Sequence, residues 1–207
     1  MHPIRSLVRF LVLGFWVAVA AGAVMAPEKV PTERDRQVLD ALLLRLAVDP
    51  KFDVSRVSTN PPTIVLHREA TSLPISLNPE GGLPYLGERT VPLDATRNFE
   101  QRNQYHDPKA GGSNSLNASF LGLTFSPGII VTNVADFKGR YILKWHAAYP
   151  RARGWVETCL PGYSNDGTKA FVEARCGPWP HYSWLYALLE QRNGIWEVKW
   201  FEMVHYL

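Results

Sequence analysis

The stretch from residue 154 to residue 207, GWVETCLPGYSNDGTKAFVEARCGPWPHYSWLYALLEQRNGIWEVKWFEMVHYL, decides the fold. It holds five of the seven tryptophans and both cysteines. Apolar and polar positions alternate along it and stop at turn residues, the period of antiparallel strands. Residues 155–160 read as a first strand, followed by the turn Asn165-Asp166-Gly167-Thr168. A second strand puts Ala170, Val172, Ala174 and Cys176 on one face and Phe171, Glu173 and Arg175 on the other. The third, residues 182–189, is apolar on both faces, which predicts a central strand covered on both sides. Asn193-Gly194 is a hairpin turn by composition. The fourth strand sets Trp196, Val198 and Trp200 against Glu197 and Lys199. Its phase slips at Trp200-Phe201, predicting a bulge or a sheet edge there.

The cysteines sharpen this reading. Two cysteines in an exported chain point to a disulfide. In an antiparallel hairpin, a four-residue loop over 166–169 pairs Asn165 with Ala170 and sets Cys159 opposite Cys176. A two-residue Asp166-Gly167 loop leaves them diagonal, about 7–8 Å apart and too far to bridge. The expected Cys159–Cys176 disulfide therefore requires the longer loop.

Export itself is read from the N-terminus. Arg5 and Arg9 precede an uncharged run over residues 10–26 that ends in small residues, as in a secretory signal peptide. Ala21-Gly22-Ala23 suits cleavage, giving a leader over 1–23, a linker over 24–31 and one domain over 32–207. The alternative is an uncleaved anchor, since the run is at the short edge of a membrane span. No membrane contact is expected beyond this segment. Without Arg5 and Arg9, 20 basic residues face 19 acidic ones, a balance that offers nucleic acid no electrostatic footing.

Upstream of the sheet, Thr32 reads as a helix N-cap with Glu33 and Asp35 in the first turn. Val38, Leu39, Leu42, Leu43 and Leu46 recur at helical spacing, and Asp49-Pro50 ends the run. Residues 63–66, TIVL, are β-prone inside a turn-rich stretch, and 73–77 is a weaker strand candidate. Asp94 opens a second helix through Gln104 with Phe99 inward, and strands follow over 116–125 and 129–132. Phe137, Tyr141, Trp145 and Ala148 form an aromatic stripe on an amphipathic helix over 136–150. The fold class is α+β: an N-terminal helix and an amphipathic helix on a twisted, mainly antiparallel sheet ending in a four-stranded meander.

Chemistry is harder to find. No phosphate loop, dinucleotide fingerprint, zinc-protease pair or nucleophile elbow occurs, and no two of the six histidines have metal-ligand spacing. No cofactor is implied. The loop Gly177-Pro178-Trp179-Pro180-His181 is stiffened by two prolines around an aromatic and an imidazole. Together with Tyr149-Pro150, the run Pro161-Gly162-Tyr163-Ser164-Asn165-Asp166-Gly167, Tyr186-Ala187-Leu188-Leu189 and Asn193-Gly194-Ile195-Trp196-Glu197-Val198, the C-terminal third resembles a group of uncharacterised secreted bacterial proteins. The resemblance implies bacterial export and no particular activity. This chain departs from the group at Trp179-Pro180-His181, where members often carry further cysteine and glycine.

Lacking a catalytic constellation and rich in aromatics around the sheet, the chain reads as a non-catalytic extracytoplasmic binding or interaction module. Trp179, His181, Trp184 and Trp200 are the candidate contact residues. Two alternatives stay open: a small hydrolase drawing its acid and base from Asp94, Glu100, His146 or His181, and an envelope-associated structural protein if the leader is retained.

Overall fold

The computed structural model describes residues 29–52, 63–71, 89–103, 115–133, 147–177 and 183–205. The leader and the loop bearing Trp179 and His181 lie outside the described residues, as do the strand candidate over 73–77 and the stripe residues Phe137, Tyr141 and Trp145. Helix α1 spans Glu33–Val48 and begins at Thr32, as its sequence predicts. Asp35 N–H donates to the Thr32 hydroxyl (3.3 Å) while Thr32 N–H donates to the Asp35 carboxylate (2.7 Å), a reciprocal cap. Asp49, extended because a proline follows it, ends the helix. The five apolar stripe residues are all buried.

They pack on a mixed, mostly antiparallel sheet in the order β4-β1-β5-β7-β8-β9. These strands are β1 (Thr63–His67), β4 (Ile129–Thr132), β5 (Ala152–Thr158), β7 (Lys169–Gly177), β8 (Ser183–Arg192) and β9 (Ile195–His205). A two-residue strand, β6 (Gly162–Tyr163), pairs with β7, and β2 (Glu69–Thr71) pairs with β3 (Ser115–Ser119) as a separate ribbon. Strand β1 runs parallel to both neighbours, β4 and β5; the rest of the main sheet is antiparallel. Helix α2 (Leu93–Arg102) covers part of the face opposite α1, with Phe99 edge-on to Phe171 at 5.1 Å. Its N-cap is Pro92, and Asp94 lies inside the first turn.

The meander follows its sequence closely. Asn193 and Gly194 adopt φ values of 52° and 80°, the pair of left-handed residues that a two-residue hairpin needs. Strand β8 is buried on both faces from Leu185 to Leu189. The slip in β9 is real and lies one residue before the expected place: Leu188 faces Trp200 and Leu189 faces Val198, leaving Lys199 as the extra residue. Because the bulge inverts the alternation, Trp196, Val198, Phe201 and Met203 all turn toward α1. Trp200 and Val204 turn toward α2.

The expected disulfide does not form: Cys159 and Cys176 are both free and buried. The loop has the expected four residues, but it closes on Ser164 and Lys169, with Ser164 N–H donating to the Lys169 carbonyl (3.1 Å). Asp166 secures it by accepting from the Ser164 hydroxyl (2.6 Å) and from Thr168 N–H (2.9 Å). Pro161, which has no N–H to donate, then interrupts the strand. There Asn103, after α2, takes the ladder's place, accepting from Leu160 N–H (2.9 Å) and donating to the Leu160 carbonyl (2.7 Å). The register beyond the break puts Val156, not Cys159, opposite Cys176. Three positions separate Val156 from Cys159, an odd number, so the two thiols face opposite sides of the sheet. Cys176 joins the α1 core and Cys159 packs with Phe99, Phe171 and Tyr186.

The two helices are tied through a buried ion pair. Arg102 donates from both guanidinium ends to Asp35 (2.7 and 2.8 Å) and to the Pro161 carbonyl (2.6 Å), while the Tyr163 hydroxyl donates to Asp35 (2.8 Å). Burial beside that carboxylate pushes the Tyr163 phenol well above its ordinary range.

Candidate functional site

The face of the sheet that carries α2 is unusual in what its strands present. From β7 come Lys169, Phe171, Glu173 and Arg175; their register partners on β8 are Glu190, Leu188, Tyr186 and Trp184. Strand β9 adds Trp200, opposite Leu188, and Glu202, opposite Tyr186. Polar groups thus lie at both ends of an apolar middle.

At one end, the strap of residues 89–92 leading into α2 and the strands beneath it enclose a groove of about 620 Å³. Arg89, Thr90, Val91 and Pro92 form one wall; Lys169, Leu188, Glu190, Lys199 and Trp200 form the floor and the other wall. The strap is held by Arg89, which pairs with Glu202 (2.5 Å), donates to the Phe201 carbonyl (2.9 Å) and lies 5.6 Å from the Trp200 ring centre. The bulge at Lys199 turns that side chain back onto Glu190 (2.5 Å), whose other oxygen takes Arg192 (3.3 Å). These cations, Lys199 first, hold the Glu190 carboxyl below the usual range. Lys169 stands directly opposite Glu190 in the register, and its charge helps, after the hydrogen bonds from Ser164 and Thr168, to hold the Asp166 carboxyl of the hairpin loop below its ordinary range. The groove therefore has an apolar body, an indole face and charged side chains at its rim.

No family model, curated protein or solved structure matches this chain. Whatever the site does must be argued from its own residues.

At the other end of the face, two carboxylates are sunk into the sheet. Glu157 and Glu173 are each 1% exposed. Arg175 pairs with Glu157 (2.9 Å) and lies 5.9 Å from the ring centre of Trp184. Glu173 has no ion pair within hydrogen-bonding reach, and its Oε2 has no hydrogen-bond partner. Burial pushes its carboxyl up to about 8, against the opposing pull of Arg175. Glu173 is thus held as a neutral acid at neutral pH, beside the Glu157–Arg175 pair. A protonated glutamate is a competent proton donor, but a substrate does not reach a carboxyl so completely covered.

Of the residues singled out from sequence, Trp184 and Trp200 do share this face, and both are half-buried. They do not share a site: Trp200 opposes Leu188, four positions along β8 from Trp184, a separation of about 13 Å. Trp179, His181 and His146 lie outside the described residues. Asp94 is engaged by Ala95 N–H (3.0 Å) and by Asn165 N–H (2.8 Å), a clamp between α2 and the hairpin loop. Glu100 is exposed on α2. Among the described residues no cluster of His, Cys, Asp and Glu is arranged to hold a metal ion.

Lys169, Glu190 and the Glu157–Arg175–Glu173 cluster are additions that the alternation alone does not reveal. Glu173 and Arg175 look like a solvated strand face. The signal that they are not is indirect: a neighbouring strand apolar on both sides implies cover on both sides, and that cover extends over β7.

Proposed function

We propose that this protein is a non-catalytic binding module whose ligand sits in the groove between the 89–92 strap and Trp200. One observation carries the reading. A half-buried indole and apolar side chains line a groove of about 620 Å³, within the range of small-molecule sites. A fragment screen by ligand-observed NMR on the full chain tests it. Fragments that bind the wild type and are lost on Trp200→Ala support the reading. A screen without binders, or binding indifferent to Trp200→Ala, overturns it.

We also propose that the module acts outside the cytoplasm. The leader composition over 1–23 supports this, as does the resemblance to secreted bacterial proteins; the free cysteines contribute nothing to it. A mature chain beginning at Val24, read by mass spectrometry, is the expected result, and an intact leader would favour an envelope-anchored structural role instead. The hydrolase alternative has less to stand on, because Asp94 already serves as a clamp and Glu100 points to solvent.

A further inference from the structure

We infer that the groove takes a neutral oligosaccharide, with the C–H face of one pyranose ring on Trp200 and its hydroxyls on the ion pairs of the rim. The inference rests on the binding reading above and names the ligand class for that same site. The balance of charge at the rim is the first observation. Arg89 is paired with Glu202, Lys199 with Glu190, and Lys169 lies in the field of Asp166. Glu190 has one oxygen on Lys199 and the other on Arg192. An ionic ligand entering here competes with a partner already in place. A neutral ligand that both donates and accepts can bond to these groups and leave the pairs together.

The mixture of surfaces is the second observation. Val91, Pro92, Leu188 and the Trp200 indole make an apolar strip, bordered by charged groups and the Thr90 hydroxyl. A flat aromatic ligand would use the strip and cover the polar border without bonding to it, at a desolvation cost. A pyranose with equatorial hydroxyls suits both parts. Its axial C–H bonds, slightly positive, meet the negative face of the indole. Its hydroxyls, each a donor and an acceptor, fan out from the ring edge to where lysine and arginine donate and glutamate accepts. The platform is also set in advance. Arg89 lies 5.6 Å from the Trp200 ring centre and donates to the Phe201 carbonyl, the next residue along. A groove of about 620 Å³ holds a ligand of drug size, which among sugars is a di- or trisaccharide.

The test is an NMR titration of the full chain with three neutral trisaccharides: cellotriose, maltotriose and triacetylchitotriose. Trigalacturonate and deacetylated chitotriose serve as anionic and cationic counterparts, and sorbitol as a polyol without a ring face. At least one neutral trisaccharide is expected to bind with a Kd of about 1 mM or tighter, and more tightly than either charged one or sorbitol. Trp200→Ala should weaken it at least about tenfold, Trp200→Phe much less, and Glu190→Gln severalfold, with far-UV dichroism and Tm confirming that the variants fold. Tighter binding of a charged trisaccharide would overturn the inference, as would sorbitol binding as well as the sugars. Sugar binding unchanged in Trp200→Ala would place it elsewhere and also overturn it. If no trisaccharide binds while fragments from the NMR screen do, the sugar inference fails alone and the binding module stands. If nothing binds in either experiment, both readings fail.

Discussion

Burial of Glu173 outweighs the pull of Arg175 and favours its protonated form. A carboxyl with a folded-state pKa of about 8, against 4.5 when unperturbed, binds its proton more tightly in the fold than in the unfolded chain. Its contribution is therefore fully present below about pH 4.5 and is lost as pH rises toward 8, the opposite of a salt-bridged acid. Glu173→Gln keeps the shape and removes the titration. It should leave stability in acid nearly unchanged and raise it at pH 8 by about 2 to 4 kcal/mol, closing the gap between the two proteins below pH 5. Urea unfolding of both proteins across this range is the measurement; parallel curves would mean that Glu173 is ionised and answered by a charge. The position also shows how far sequence reaches at single-residue scale. The alternation of β7 assigns Glu173 its face correctly, but whether that face meets water depends on what packs over it, which the period of one strand does not record.

Among elements, α1 was legible almost to the residue, because the Thr32 cap, the five-residue stripe and the Asp49-Pro50 stop are all local chemistry. The Asn193-Gly194 hairpin was legible for the same reason. The Cys159–Cys176 register was not. Pro161 breaks the strand, and Asn103, a residue far away in sequence, repairs the backbone there. The parallel arrangement of β1 between β4 and β5 is likewise written in long-range contacts that no short period records. What binds α1 to α2 is similarly non-local. Asp35 answers Arg102, whose side chain is only 5% exposed, while closing the α1 capping box. Asp35→Ala leaves a buried guanidinium without its anion and should cost about 3–5 kcal/mol. The expected signature is a lower urea midpoint at constant slope; a loss under about 1 kcal/mol would mean that water reaches Arg102.

For the whole molecule, the absence of a disulfide moves the burden of stability onto the core that α1 makes with the sheet. Cys176, whose thiol burial pushes up to about 12 and whose Sγ donates to the Ser183 carbonyl (3.6 Å), is a packing residue. A thiol reagent such as DTNB should therefore find neither cysteine in the native protein and both after unfolding, and dithiothreitol should leave Tm unchanged. A Tm drop of several degrees on reduction would restore the bridge. The groove was the least legible part of the molecule, since Arg89 comes from a turn-rich stretch and Lys169 from what reads as a loop residue. The bulge at Lys199 has one more effect. Strand β9, eleven residues long, ends the main sheet among the described residues, and a straight strand of that length on a rim is a template for pairing with other chains. The extra residue breaks the strand's regular repeat midway, and Arg89 occupies the Phe201 carbonyl beside it. The same kink that presents Trp200 to the groove thus protects the protein from aggregating through its own edge.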